Sequence, residues 1–240
     1  MEQYYEITGL TVKMDSYGRT VEQAKPYRCK SVESPDITIQ SLWEKAKANN
    51  PDIYANLPDE DGEYIFTGIS FYKQLLNFGG FMLHSSAVVV DGKAYLFSAN
   101  CGTGKSTHTR LWLELFGDRA YILNDDKPAL RLEDGVWYAY GTHWSGKHDI
   151  SVAARIPLGG IAMIHRGEEN TIRSFTGKEA ILELMRQVNR PKDMQLRIKL
   201  LELLDKLFVM VPIWYLECNM DPEAAIVSYE AMSGKRFKEI

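Results

Sequence analysis

Between residues 81 and 140 the apolar positions fall in short runs interrupted by turn residues. The runs 81–90 and 93–97 are separated by Asp91-Gly92, a pair that favours a tight hairpin, and 128–132 and 136–140 by Glu133-Asp134-Gly135. A shorter run, 120–123, ends in Asn124-Asp125-Asp126. Elsewhere the spacing is helical. Phe71, Leu75 and Phe78 form one stripe of a predicted helix over 66–78, which Leu76 widens and Gly79-Gly80 ends. Helices are also predicted over 107–116, 179–188 and 193–207, and from Asp221, as cap, to about Met232 with Pro222 in the first turn. Strands are predicted over 159–164, 172–175 and 208–216, and Pro212 marks the last as an edge or bulged strand.

Residues 1–62 are patterned differently. Positions 4–14 read as one or two strands about Thr8-Gly9, and 37–39 as a short strand. Positions 41–48 read as a helix stopped by Asn49-Asn50-Pro51; Ser16-Tyr17-Gly18-Arg19 reads as a turn, and 58–62 as a loop. The chain is therefore expected to comprise a β-rich appendage, 1–62, and a nucleotide-binding domain, 63–240. Hairpins flank the middle of the chain and long helices come late, so the expected fold is mixed α/β with antiparallel and mixed sheet. An alternating strand–helix order, which makes a parallel sheet, is not seen.

The chemistry concentrates in Ser98-Ala99-Asn100-Cys101-Gly102-Thr103-Gly104-Lys105-Ser106-Thr107, between a predicted strand and a predicted helix. Unpaired N–H groups at a helix start, with the helix dipole behind them, make a seat for phosphate. Cys101 to Thr107 would line that seat, with Lys105 on the outer phosphates and Ser106 on Mg²⁺. Position 99, where the full pattern has glycine, is alanine, so the loop is expected to take a variant path. Asp125 and Asp126 end the next strand, where a nucleotide enzyme needs a metal ligand and a base. His84 lies in the strand expected beside the loop. The glycine- and hydroxyl-rich stretch 141–148 is a candidate to hold substrate or cover the phosphates, and Arg155 and Arg166 are candidate anion contacts. His143 and His148 match no strong metal spacing.

Composition narrows the partners. A net charge of -4 argues against a general nucleic-acid surface. The three cysteines, Cys29, Cys101 and Cys218, suggest neither zinc nor a disulfide framework. The start of the chain lacks a signal-peptide pattern and no apolar run approaches a membrane span, so a cytoplasmic location is expected. At 45% hydrophobic residues, 240 residues can fill a sizeable core.

Three motifs in order resemble the HPr kinase/phosphorylase catalytic domain: His84 in Phe-Met-Leu-His-Ser-Ser, then Cys-Gly-Thr-Gly-Lys-Ser-Thr, then Asn-Asp-Asp. That fold is shared with ATP-dependent phosphoenolpyruvate carboxykinase. Residues 140–147 resemble HPr-kinase-related proteins, some from peptide-modification cassettes. The family's Glu-x-Arg-Gly-Leu-Gly stretch is not found after the acid pair, and 141–147 stands in its place. The resemblance implies a phosphate-loop core with antiparallel and mixed sheets and an ATP- and Mg²⁺-dependent kinase. Its acceptor would be a hydroxyl, as on serine, of a protein, peptide or small molecule. By resemblance Asp125 takes the acceptor proton, Asp126 contacts the metal with Ser106, His84 tunes the base or acceptor, and oligomers form. The alternatives are an ATP-binding regulator that transfers nothing and a small carboxykinase-like lyase.

Overall fold

A computed structural model describes residues 3–237. The described residues open with a hairpin, β1 (Gln3–Ile7) and β2 (Leu10–Met14), which β3 (Ile37–Ile39) extends in parallel. Thr8 and Gly9 both take positive φ, as a two-residue hairpin turn of this hand requires. Between and after these strands come α1 (Gly18–Ala24), α2 (Trp43–Asn49), α3 (Pro51–Tyr54) and α4 (Asp59–Leu75).

Two expectations fail here. The turn expected at Ser16–Arg19 gives way to α1 from Gly18, and the loop expected over 58–62 is the first turn of α4. Pro58 precedes that helix, and Asp59, Glu60 and Asp61 in its first turn match the positive end of the dipole. Gly62 is tolerated within it because the Trp43 indole lies where a Cβ would be, 2.4 Å away. The helix therefore runs unbroken across the division expected at 62.

Among the described residues the large sheet has nine strands. They are β4 (Gly80–Met82), β5 (Ser85–Val90), β6 (Lys93–Ser98), β7 (Ala120–Asp126), β8 (Ala129–Glu133), β9 (Val136–Tyr140), β10 (Arg155–Arg166), β11 (Thr171–Ser174) and β12 (Ile213–Cys218). The order runs β4-β8-β9-β10-β6-β5-β7, with β12 also beside β10 and β11 beside β12. Pairings of β10 with β6 and with β12 are parallel, and the rest are antiparallel, so the sheet is mixed as expected.

The helices α5 (Lys105–Phe116) and α8 (Glu223–Ser233) cover one face of this sheet, and α6 (Gly177–Arg186) and α7 (Met194–Met210) the other. Successive residues of a strand point to opposite faces. Accordingly Val88, Val90, Tyr95 and Phe97 pack with Trp112, Phe116 and Tyr229. Ala87, Val89, Ala94 and Leu96 pack with Leu184, Leu200, Leu204 and Leu207. A third cluster joins Tyr5, Ile7, Val12 and Ile37 of the small sheet to Tyr64, Phe71 and Leu75 of α4 and to Ala129, Tyr140 and Trp144.

Three smaller differences remain. The run 81–90 is two strands, broken at Leu83-His84, where the chain bonds to Gln187 and Val188 instead of continuing the ladder. Pro212 precedes β12, which lies between two neighbours, so this strand is neither bulged at proline nor an edge. Residue Pro222 takes the cap position of α8, and the Asp221 carboxylate instead accepts from the Asn219 amide at 2.9 Å. Among the described residues, no helix is long and apolar enough to cross a membrane.

Candidate functional site

Sheet topology brings the predicted motifs together. β5 pairs antiparallel with β6 on one side and with β7 on the other, so β6 and β7 run in the same direction. Ser85 is opposite Ser98 on one side and Asp126 on the other. The loop after β6 and the acids ending β7 thus emerge at one end of the sheet, two strand spacings or about 10 Å apart.

Within the loop, positive φ falls on Gly102 (76°) and Gly104 (125°), while Ala99 is not among the positive-φ residues. An added Cβ at Gly102 or Gly104 meets nothing within 4 Å, so backbone conformation and not crowding favours glycine there. Helix α5 starts at Lys105, two residues earlier than predicted, and its first N–H groups have no partner within the helix. Lys105 Nζ donates to the carbonyls of Ala99 (3.0 Å) and Asn100 (3.5 Å). Burial lowers the lysine's pKa, against the opposing pull of Asp126, Cys101 and Asp125. An ammonium has three donors, which suits it to hold the loop and reach an anion at once. Arg166 donates to the carbonyls of Thr103 (3.2 Å) and Gly102, and so braces the loop from behind. Arg155 lies elsewhere, paired with Glu133 at 2.9 Å and stacked on Tyr138.

The two acids have different surroundings. Ser106 Oγ donates to Asp125 Oδ1 at 2.9 Å. Asp126 instead faces His84 Nε2 (3.1 Å, Oδ1) and Lys127 Nζ (2.8 Å, Oδ2). Burial raises its pKa, but the His84 hydrogen bond and the Lys127 charge outweigh that and hold the carboxyl well below its ordinary range. Asp126 has φ 143°, a conformation L side chains rarely adopt and one that stores strain of about 1–3 kcal/mol. Ser106 therefore lies against Asp125, not against Asp126, with which the resemblance groups it.

Loop 141–149 closes the opposite side. The Asn124 amide donates to Thr142 O (2.8 Å), and its carbonyl oxygen accepts from Lys127 N (2.7 Å), tying this loop to the acid tip. Tyr64 Oη donates to His143 O and accepts from Ser145 N, both at 2.7 Å. Gly146 takes φ 77° and approaches so closely that a Cβ there would lie 2.8 Å from the Asp126 Cβ. Arg19 binds Asp61 (2.8 Å), Asp149 (2.6 Å) and the Gly146 carbonyl, with its guanidinium over the Tyr64 ring. His143 is buried among Trp144, Tyr27 and Tyr5, far from the role of a ligand, whereas His148 lines the cleft.

These elements enclose a cleft of about 650 Å³ whose lining includes His84, Lys105, Ser106, Asp125, Asp126 and Lys127, with Cys101, Gly102, Gly104 and Thr107 at the loop. Arg19, Asp61 and Tyr64 supply the far wall. Thr103 turns away into a second hollow of about 420 Å³ behind the loop, shared with Gly102, Gly104 and Thr107 and floored by Leu111 and Ile164. Sequence reasoning missed Arg19, Asp61, Tyr64 and Lys127. Only Lys127 carried a signal, its place directly after the acid pair.

No family model matches the chain, and no curated protein matches it. Among solved structures it is similar to the Hpr(Ser) kinase/phosphatase from Coxiella burnetii, at 9% identity and a TM-score of 0.38. The match covers 64% of this chain and 95% of that one. It is a distant structural relationship.

Proposed function

We propose that the protein is a kinase that moves the γ-phosphoryl group of ATP to a hydroxyl. The observation that carries this reading is the convergence of Lys105, Ser106, Asp125 and Asp126 on one cleft at the start of α5. The N–H groups of Gly102 and of Gly104 to Thr107, with the Lys105 ammonium, cradle the phosphates, and the hollow behind the loop takes the nucleoside. Ser106 and Asp125 are hard oxygen donors side by side, the kind of set that suits Mg²⁺ accompanied by phosphates and water. Magnesium bound there supplies charge neutralisation for the phosphates. The acceptor, on a protein, peptide or small molecule, enters from the side of Lys127 and Tyr64.

Asp126, held ionised by His84 and Lys127, accepts the acceptor's hydroxyl proton. The hydroxyl oxygen bonds to the γ-phosphorus, the bond to the β–γ bridging oxygen breaks, and ADP leaves. Phosphoryl transfer has little need of a strong base, so a low-pKa carboxylate serves chiefly to aim the hydroxyl. This assignment exchanges the two acids relative to the resemblance; the Ser106–Asp125 bond favours the exchange.

The test uses γ-labelled ATP with Mg²⁺, scoring label passed to candidate acceptors or to water, with Asp125→Asn and Asp126→Asn alongside. Asp126→Asn is expected to slow transfer by roughly 10²–10⁴-fold while ATP affinity stays within about threefold. Asp125→Asn is expected to weaken Mg²⁺-dependent nucleotide affinity as well. The opposite pattern restores the original order of roles. ATP binding without consumption, across many acceptors, refutes the kinase and leaves a regulator.

A further inference from the structure

The side chain of Gln187 lies at the end of α6, almost fully buried. Its Nε2 donates to Asn100 Oδ1 at 3.0 Å, at the mouth of the phosphate loop. Its Oε1 is 3.1 Å from His84 Nδ1, and its backbone carbonyl accepts from His84 N at 2.8 Å. His84 Nε2 in turn meets Asp126 at 3.1 Å. One amide thus links the phosphate loop to the acceptor-side acid through a histidine gripped at both its main chain and its ring.

We infer that Gln187 is a positioning residue for phosphoryl transfer: it aims His84 at Asp126 and registers that pair to the phosphate loop through Asn100. The inference rests on the kinase reading above. The strand break at Leu83-His84 is what makes the grip accessible, because His84 gives its N–H to Gln187 and not to a neighbouring strand. A primary amide is suited to the place, since it presents one acceptor and one donor at a fixed separation. A leucine of similar length would leave the Asn100 oxygen and a ring nitrogen without their partner. Glutamate keeps an acceptor for His84, and Asn100 can turn its own amide to donate to it, so Gln187→Glu is the conservative replacement. Catalytic groups lose rate steeply when their aim drifts by about 1 Å, so slack in His84 is expected to appear in turnover and not in nucleotide binding.

The experiment combines kinetics with a measurement that needs no turnover. Gln187→Leu, Gln187→Glu, His84→Ala and the Gln187→Leu/His84→Ala double variant are compared for ATP consumption and for calorimetric affinity toward a non-hydrolysable ATP analogue with Mg²⁺. The expected result is a fall in kcat of about tenfold or more for Gln187→Leu, with KM and analogue affinity within about twofold and most of the rate recovered in Gln187→Glu. The double variant is expected to be no slower than His84→Ala alone, because Gln187 acts through His84. Multiplying losses, or a loss of affinity equal to the loss of rate, overturns the inference. Independently, ¹H–¹⁵N spectra of the His84 ring are expected to show a hydrogen-bonded Nδ1–H in the wild type, distinct from the Nε2–H that faces Asp126, that is lost in Gln187→Leu and kept in Gln187→Glu. Its survival in Gln187→Leu overturns the positioning role. Absence of turnover in the wild type, with the spectroscopic change as expected, sinks the kinase reading alone.

Discussion

His143 sits in the loop that backs the acids, and acid pH bears on it directly. Its ring is almost fully buried, with centroid distances of 3.7 Å to Trp144 and 5.7 Å to Tyr27. Burial pushes its pKa from 6.5 down to about 3. His108, buried beside Ser228 and Phe97, is pushed down to about 4 for the same reason. Both groups have folded pKa values below their unfolded ones, so the unfolded chain takes up protons first as pH falls below 6.5. Their contribution to stability is present above pH 6.5 and is lost progressively toward pH 4 for His108 and pH 3 for His143. At about 1.4 kcal/mol per unit, each removes about 2 kcal/mol by pH 5, so together about 4 kcal/mol. That is a large share of the roughly 5–15 kcal/mol available to a folded domain. The perturbation is His143→Phe, which keeps an aromatic ring and abolishes the titration. The assay is urea unfolding at pH 7, 6 and 5, followed by tryptophan fluorescence. His143→Phe is expected to show about half the wild-type loss between pH 6.5 and 5. Neither ring nitrogen of His143 has a hydrogen-bond partner among the described residues, so the variant is also expected to match or exceed wild-type stability at pH 7. An unchanged pH slope in His143→Phe refutes the reasoning.

Three further outcomes are expected. Gly146→Ala puts a Cβ 2.8 Å from the Asp126 Cβ on a residue with positive φ, so it should destabilise by about 1–2 kcal/mol in urea unfolding and, on the proposed kinase reading, slow transfer at least tenfold. Arg19→Met removes the ties to Asp61, Asp149 and Gly146, and hydrogen exchange at 145–149 should accelerate by about tenfold or more while the large sheet stays protected. On the proposed kinase reading Lys105→Met should weaken ATP affinity by at least about tenfold, yet leave Tm unchanged or raised, because it removes a largely desolvated ammonium.

The parts of the fold that could be read from sequence were those with a local cause. Thr8-Gly9, Asp91-Gly92 and Asp134-Gly135 each take two successive positive φ values, and each lies between strands. The spacing of the glycine loop and the acid pair were legible because consecutive residues carry them. What escaped had causes distant in sequence. The first turn of α4 looks like a loop until Trp43 is seen against Gly62. The break in the run 81–90 is set by Gln187 and Val188, about a hundred residues later. Arg19 reaches the cleft, and Gln187 reaches His84 and Asn100 beside it, through tertiary packing that no periodicity announces. The apolar pattern of 208–216 mixed the last turn of α7 with β12, since a buried helix end and a buried strand look alike over so few residues.

The Tyr64 hydroxyl is fastened to the main chain on either side of Trp144, and its helix rests on the small N-terminal sheet. Whatever grips or displaces that sheet gains leverage on the wall facing the glycine loop before α5. Residues 3–39 are thus a handle on the cleft, and a binder raised against them is a route to controlling the site without entering it.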